Sequence, residues 1–298
     1  MSDELLKLSN AMANAVETAG QSIVRIEARR RMPASGIFWD ASGVIVTAHH
    51  VVQREERLVV GLPDGSKEKA QFIGRDPSTD LAVLKIEGLK LPVPNWRPVE
   101  QVKVGHLVLA LGRPGDSVNA SLGVVSSLED RLSRPGLGNL DTLVQTDVVM
   151  YPGFSGGPLI DAQAGFVGMN TSALMRGVSL AVPFSTIERV VAALLKDGHI
   201  RRSYLGVGLQ PVRLPSDFQS QLEQETGLMV VSVEQDGPAE EGGVLLGDVI
   251  VGLGDMPTTH IDALLGALTG NLIGEEVTLR LIRAGSLEAV KITPAARE

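Results

Sequence analysis

From Gln21 to Phe184 the chain never sustains one apolar pattern for long. SIVRIEA, GVIVTA, RLVVGL, KAQFIG, DLAVLKI, HLVLAL, SLGVVSS, TLVQTDVV, GFVGMN and VSLAVP follow one another, separated by polar and turn-forming residues. Side chains alternate faces along a strand, so short runs at this spacing build strands, and an extended helical stripe is excluded over most of the stretch. Strands recurring in this way close into a barrel or stack as a sandwich. Between RLVVGL and KAQFIG stands Pro63-Asp64-Gly65, where proline presets φ and glycine accepts a positive one, so those two runs are expected to form a hairpin. Aromatic residues are only 3% of the chain, which predicts aliphatic cores.

The period changes at Ser185. Ile187, Val190, Val191, Leu194 and Leu195 fall at helical spacing. Ser185 with Glu188 has the pattern of a capping box, and Gly198 supplies a left-handed stop. The expected organisation is an N-terminal segment (1–20), an all-β domain (21–198), a linker HIRRS (199–203) and a small α+β module (204–298). Within that module, YLGVGL, GLMVVSV, VIVGLG, EVTLRLI and EAVKIT read as strands. Ile261, Leu264, Leu265 and Leu268 give one helix over 261–270. The first segment is read as a short helix through Leu5, Leu8, Met12 and Val16.

At 298 residues the chain has room for two domains. Its net charge of −8 excludes binding to nucleic acid through the overall field. The basic run Arg29-Arg30-Arg31 is read as a solvated loop between strands. There is no cysteine, so disulfides and thiolate metal sites are excluded and redox chemistry is silent on compartment. MSDELLKLSNAMANAVETAG lacks the basic start and unbroken apolar stretch of a secretory leader, and no window of about 18 apolar residues exists. A soluble chain of unassigned compartment is the expectation.

Three glycines and two prolines crowd around one hydroxyl in YPGFSGGPLI (151–160). Serine is a poor nucleophile unless a base takes its proton and donors stabilise the oxyanion formed on attack. Gly153 lets the amides of residues 153 and 155 converge and lets a substrate approach closely. The pattern G-x-S-x-G also fits the nucleophile elbow of α/β-hydrolases. An elbow opens into a helix with its acid and histidine downstream, however, whereas here Pro158 and a strand follow, and the later histidines, His199 and His260, lack a strand-end context. Upstream, VIVTAHHVV sets two histidines where a strand ends and DPSTDLAVLKI sets Asp80 where one begins. The order His, Asp, Ser is that of the chymotrypsin-type double barrel. A metal-dependent hydrolase finds little support, because no H-E-x-x-H occurs.

TAHHVV, TDLAVLKI and GFSGGPLI together resemble the three catalytic motifs of HtrA-type (Deg) serine proteases. GHLVLALGRPGDSVNASLGVVSS is similar to that family's second-barrel segment, and VSLAVPFSTIERVVAALLKDGHIRRSYLGV to its passage into a PDZ domain. The resemblance implies an all-β chymotrypsin-like double β-barrel followed by a small α+β PDZ domain. It implies His50 as general base, Asp80 as its orienting acid, Ser155 as nucleophile, and the amides of Gly153 and Ser155 as oxyanion hole. His49 is the rival base, and Asp76, in a turn expected to be exposed, and Asp147 are rival acids. Phe154 departs from the family, which usually carries asparagine there; the ring either alters the oxyanion loop or packs into a neighbouring one. Val149, with Leu180 and Ala181, is implied as the substrate pocket. Without a carboxylate there, cleavage of unfolded or misfolded chains after small or medium aliphatic residues is expected.

Tyr204-Leu205-Gly206-Val207 resembles the carboxylate-binding loop of a PDZ domain, where glycine-flanked amides receive a peptide C-terminus and the peptide adds a strand. The implied activity is ATP-independent endoproteolysis in protein quality control, without metal or cofactor, with unfolded polypeptides and C-terminal peptides as partners. Homotrimers and an extracytoplasmic, mostly periplasmic setting are implied by resemblance alone. A catalytically idle, chaperone-like scaffold of the same fold is the alternative, and Phe154 is its main support.

Overall fold

A computed structural model describes residues 3–30, 32–129, 142–200, 202–268 and 272–297. Arg31 of the basic run, Arg201 of the linker and residues 269–270 of the expected 261–270 helix lie outside them. The chain divides into two units, with the division between Ile200 and Arg201.

In the first unit, β1 (Ile23–Glu27), β2 (Ala34–Phe38), β3 (Val44–Ala48), β4 (Leu58–Gly61), β5 (Lys67–Asp76) and β6 (Leu81–Lys85) close into a barrel in the order β1-β2-β3-β6-β5-β4. The second barrel takes β7 (Leu107–Gly112), β8 (Asn119–Glu129), β9 (Leu143–Thr146), β10 (Pro158–Asp161), β11 (Phe166–Thr171) and β12 (Ser179–Pro183) in the order β7-β8-β9-β12-β11-β10. Counted from its own first strand, each barrel has the same connectivity, so the fold is a chymotrypsin-like double barrel. The expected hairpin joins β4 to β5. Gly65 sits at φ +87° and Leu62 N–H donates to Ser66 O at 2.8 Å.

All five residues of β2 and of β3 are buried, which is why these stretches read as continuous apolar runs rather than alternating ones. The cores are mostly Val, Ile and Leu, yet Phe38, Phe154 and Phe166 are among the largest fully buried side chains. Trp39, Trp96, Phe166 and Phe184 form a separate cluster with centroids 5.4–5.6 Å apart. Four of the ten aromatic residues thus gather where Phe184 of the helix start meets the barrels.

An N-terminal helix, α1 (Asp3–Gly20), precedes the barrels and α2 (Phe184–Asp197) follows them. In α1 the buried positions are Ala15, Ala19 and Gly20, while Leu5 and Leu8 of the expected stripe are exposed. In α2, Ile187, Val190, Val191 and Leu194 are buried, each worth about 1.5–3 kcal/mol relative to exposure. Leu195, expected on the same face, is 44% exposed. The capping box does not form: Pro183 is the N-cap and no side chain caps the helix. The start is set one residue before Ser185, because β12 runs directly into the helix and Phe184 stacks on Trp39 at 5.6 Å. The glycine stop holds, with Gly198 at φ +75° donating to Leu194 O at 2.9 Å.

The second unit begins within the expected linker. β13 (Arg202–Tyr204) pairs with β20 (Ala295–Arg297), so residues 202 and 203 already belong to a sheet. Between them come β14 (Val207–Arg213), α3 (Ser216–Leu222), β15 (Thr226–Val233), α4 (Pro238–Glu241), β16 (Val249–Leu253), β17 (Met256–Pro257), α5 (Ile261–Ala267), β18 (Val277–Arg283) and β19 (Ser286–Ile292). The main sheet runs β14-β15-β16-β18-β19, with β17 paired to β16 and β14, which carries Pro211, at an edge. Helix α5 packs on β14 and β16. It buries Leu264 and Ala267, with Leu268 buried just past its end, and leaves Ile261 and Leu265 exposed. Among the described residues, no helix is long and apolar enough to cross a membrane.

The two adjacent leucines of α2 give a direct test. Leu194→Ala, at a fully buried position, should cost about 2–5 kcal/mol in chemical denaturation of the first unit. Leu195→Ala should stay within about 0.5 kcal/mol. Equal costs would mean that the helix buries a different face.

Candidate active site

β3 ends at Ala48 and passes straight into a 3-10 turn, His49–Val51. Two successive amides of that turn reach the same residue: His49 N–H donates to Asp80 O and His50 N–H to Asp80 Oδ1, both at 2.9 Å. Asp80 itself sits at φ +55°, a left-handed conformation that aspartate tolerates better than most side chains. Its carboxylate is 2% exposed. Besides the His50 amide it faces His50 Nδ1, 2.8 Å from Oδ2, and accepts from the Thr171 hydroxyl at 2.5 Å. A carboxylate at Nδ1 fixes the tautomer that leaves Nε2 as a base.

The rival residues are occupied otherwise. His49 Nδ1 lies 3.5 Å from Arg75 Nη1, and burial, reinforced by that charge, pushes its imidazole below the usual range. Asp76 is buried rather than in an exposed turn, because its Oδ1 accepts from the amide and hydroxyl of Ser78 and its Oδ2 from Thr79 Oγ1. Asp147 Oδ1 accepts from Val124 N–H at 2.6 Å.

The serine loop is a tight turn in which Phe154 N–H donates to Tyr151 O at 3.0 Å, with Pro152 and Gly153 at its centre. Gly153 takes φ +93°, and a Cβ there would stand 2.6 Å from Pro114 Cβ. Gly156 is more constrained: at φ +86° its Cβ would lie 2.1 Å from Ser35 O. Among the described residues, neither the Gly153 nor the Ser155 amide has an intramolecular acceptor. The ring of Phe154 is fully buried in the second barrel's core, packed on Gly112 and edge-on to Tyr151 at 5.5 Å. It therefore lies under the loop and outside the space where the two amides are free.

Ser155 Oγ lies 3.2 Å from Ser172 Oγ, its one hydrogen-bond partner among the described residues. His50 and Ser155 both line a cavity of about 610 Å³, together with Met150, Tyr151 and Gly153. A hydroxyl, an imidazole backed by a carboxylate and two free amides facing one space are the components of acyl transfer through a covalent intermediate.

Three contributors carry no sequence signal of their own. Thr171 and Ser172, at the end of β11, bring the second barrel to Asp80 and Ser155. Ser35, fully buried in β2, donates from Oγ to Gly153 O at 2.7 Å, accepts from Arg113 N–H at 2.7 Å, and sends its own N–H to Ser155 O at 3.2 Å. One serine of the first barrel thus grips both ends of the Gly153–Ser155 stretch.

The expected substrate pocket is rearranged. Strand-like alternation turns Val148 inward and leaves Val149 55% exposed, and Met150 takes its place on the cavity wall. Leu180 and Ala181 are buried in β12. In the second unit, Leu205 O accepts from Ala239 N–H and Gly206 O from Glu234 N–H, both at 2.8 Å. Gly206 is at φ +77°, Tyr204 ends β13 and Val207 opens β14. The amides of Leu205 and Gly206 have no acceptor among the described residues.

Residues 34–169 match the trypsin-like peptidase domain family and residues 203–293 the PDZ domain family. The probable periplasmic serine endoprotease DegP-like of Ectopseudomonas mendocina is 36% identical over 266 residues, covering 87% of this chain and 55% of that protein. Its counterpart in Chlamydia trachomatis serovar D is 32% identical over 275 residues, covering 90% and 55%. The chain therefore spans about half the length of the curated relatives it matches. Among solved structures, the HtrA-type protease AlgW with decapeptide superposes with a TM-score of 0.80 at 26% identity, covering 96% of this chain and 99% of that one. The serine endoprotease from Yersinia pestis gives 0.77 at 28% identity, covering 96% and 98%.

Loss of the Ser35 hydroxyl should loosen the Gly153 carbonyl and with it the two amides. Ser35→Ala is expected to lower kcat on an activated peptide substrate by about 10–100-fold with KM changed less than about threefold, a fraction of the 10²–10³ attached to a lost oxyanion donor. Circular dichroism and the unfolding midpoint report whether the barrels remain intact. An unchanged kcat in a folded variant would show that the loop holds itself.

Proposed function

Because the chain belongs to the HtrA-type, DegP-like serine proteases, we propose that it is a serine endopeptidase acting on unfolded or misfolded polypeptides, with Ser155 as nucleophile and His50 as its base. The observation that carries this reading is the His50 Nδ1–Asp80 Oδ2 contact of 2.8 Å, behind an imidazole that opens on the cavity of Ser155. In turnover the Ser155 hydroxyl leaves Ser172 and gives its proton to His50 Nε2 as Oγ attacks the carbonyl. Asp80 stabilises the imidazolium, and the Gly153 and Ser155 amides receive the oxyanion. His50 then protonates the leaving amine, and water releases the acyl group by the same path in reverse.

Burial of Phe154 weakens the case for an idle scaffold, since its ring packs beneath the loop rather than across the converging amides. Cleavage after small or medium aliphatic residues remains part of the proposal, with Met150 replacing Val149 on the wall and, among the described residues, no carboxylate lining the cavity to pair with Lys or Arg. The relatives' names support a periplasmic setting, and a homotrimer belongs to the same reading, testable by light scattering. In the second unit, the amides of Leu205 and Gly206 would take a peptide's terminal carboxylate while the peptide extends the sheet at β14, opposite α5.

A fluorophosphonate probe should label the full chain at Ser155, labelling should vanish in Ser155→Ala, and its rate should fall at least about 100-fold in His50→Ala. A folded chain that resists the probe even with peptide present would point to the scaffold instead. For the second unit, a peptide with an apolar C-terminus should bind with its carboxylate free and at least about tenfold more weakly when amidated. Equal binding of both forms would remove the carboxylate from the recognition.

A further inference from the structure

Arg29 and Arg30 stand in the loop that joins β1 to β2, Arg29 half-buried and Arg30 exposed. As expected they lie in a solvated loop between strands, and they also line the same cavity of about 610 Å³ as His50 and Ser155. Arg29 Nε donates to Met32 O, a bond that folds the segment back while leaving both terminal nitrogens uncommitted. Arg25, Arg75 and Arg97 of the same unit each hold a carboxylate. Among the described residues, Arg29 and Arg30 have none and no Asp or Glu lines the cavity. In a chain of net charge −8, two guanidinium groups set positive charge beside Ser155.

Their position also gives a direction. Gln53 N–H donates to Ala28 O at 3.2 Å, pinning the segment beside the chain that leaves His50. The arginines thus enter the cavity from the barrel that carries the proton donor for the leaving amine, the side taken by residues that follow the scissile bond. We propose that Arg29 and Arg30 form a subsite for acidic side chains, Asp or Glu, of a polypeptide on the leaving-group side of the bond to be cut. The direction rests on the proteolytic reading, whereas the affinity for carboxylates does not. Guanidinium forks match carboxylates geometrically, and a half-open cavity strengthens the pair relative to an exposed one.

The experiment uses the full-length Ser155→Ala chain, which binds without turnover, and fluorescein-labelled peptides amidated at the C-terminus so that the Leu205–Gly206 loop is not engaged. The peptides share an aliphatic half and carry Glu-Glu, Gln-Gln or Lys-Lys after the central bond. Glu-Glu should bind about tenfold more tightly than Gln-Gln at low salt, and the preference should fall to about twofold at 0.5 M NaCl, where the screening length is a few ångströms. Arg30→Gln, at an exposed residue with no hydrogen bond among the described residues, should cut the preference to about threefold, and Arg30→Glu should reverse it. Equal binding of the Glu and Gln peptides, or a preference untouched in both variants, overturns the subsite. A chain that prefers Glu-Glu yet resists the fluorophosphonate probe keeps the subsite and loses the protease. A chain that reacts with the probe but shows no preference loses the subsite alone.

Discussion

The carboxylate of Asp80 is the point on which the first unit converges. A buried charge is costly unless hydrogen bonds compensate it, and here an amide, an imidazole and a hydroxyl supply three. Two of these donors come from His50 in the first barrel and one from Thr171 in the second. Satisfying this one anion therefore sets the orientation of the imidazole and ties the barrels together at the same spot. The left-handed backbone at Asp80 stores local strain in service of that arrangement, as at many functional positions.

Much of this architecture is legible in the sequence, and the illegible parts share a cause. Strand spacing follows from the pleat, so the barrels and the hairpin at residues 63–65 can be read from alternation and turn residues alone. Motifs at strand ends bring His50, Asp80 and Ser155 forward for the same reason. Ser35 is different: a serine between alanine and glycine inside a strand announces nothing, and its partner Gly153 is 118 positions away. Thr171 and Ser172 are hidden likewise. Val149 is misplaced because a position counted from a motif says nothing of which face the pleat gives it.

Local rules also lose to packing. The Ser185–Glu188 pattern promises a capping box, yet stacking of Phe184 on Trp39 and the run-in from β12 fix the helix start elsewhere. Leu5 and Leu8 make a tidy apolar stripe on α1, but alanine and glycine near its other end are what the barrels bury. Overall charge suggests a loop in water for the basic run. That reading holds, and the closure of the first barrel adds that Arg29 and Arg30 border the cavity lined by His50 and Ser155.

Pro211 has a consequence for the second unit. It lies within β14, the strand whose outer side is unpaired, and it brings no N–H to that side. A strand added there, as the proposed peptide binding requires, would pair along residues 207–210 and find no donor at 211, which would limit the length of the pairing. The same gap blunts the edge against sheet-to-sheet stacking between copies, which is how an open margin avoids becoming a seed for aggregation.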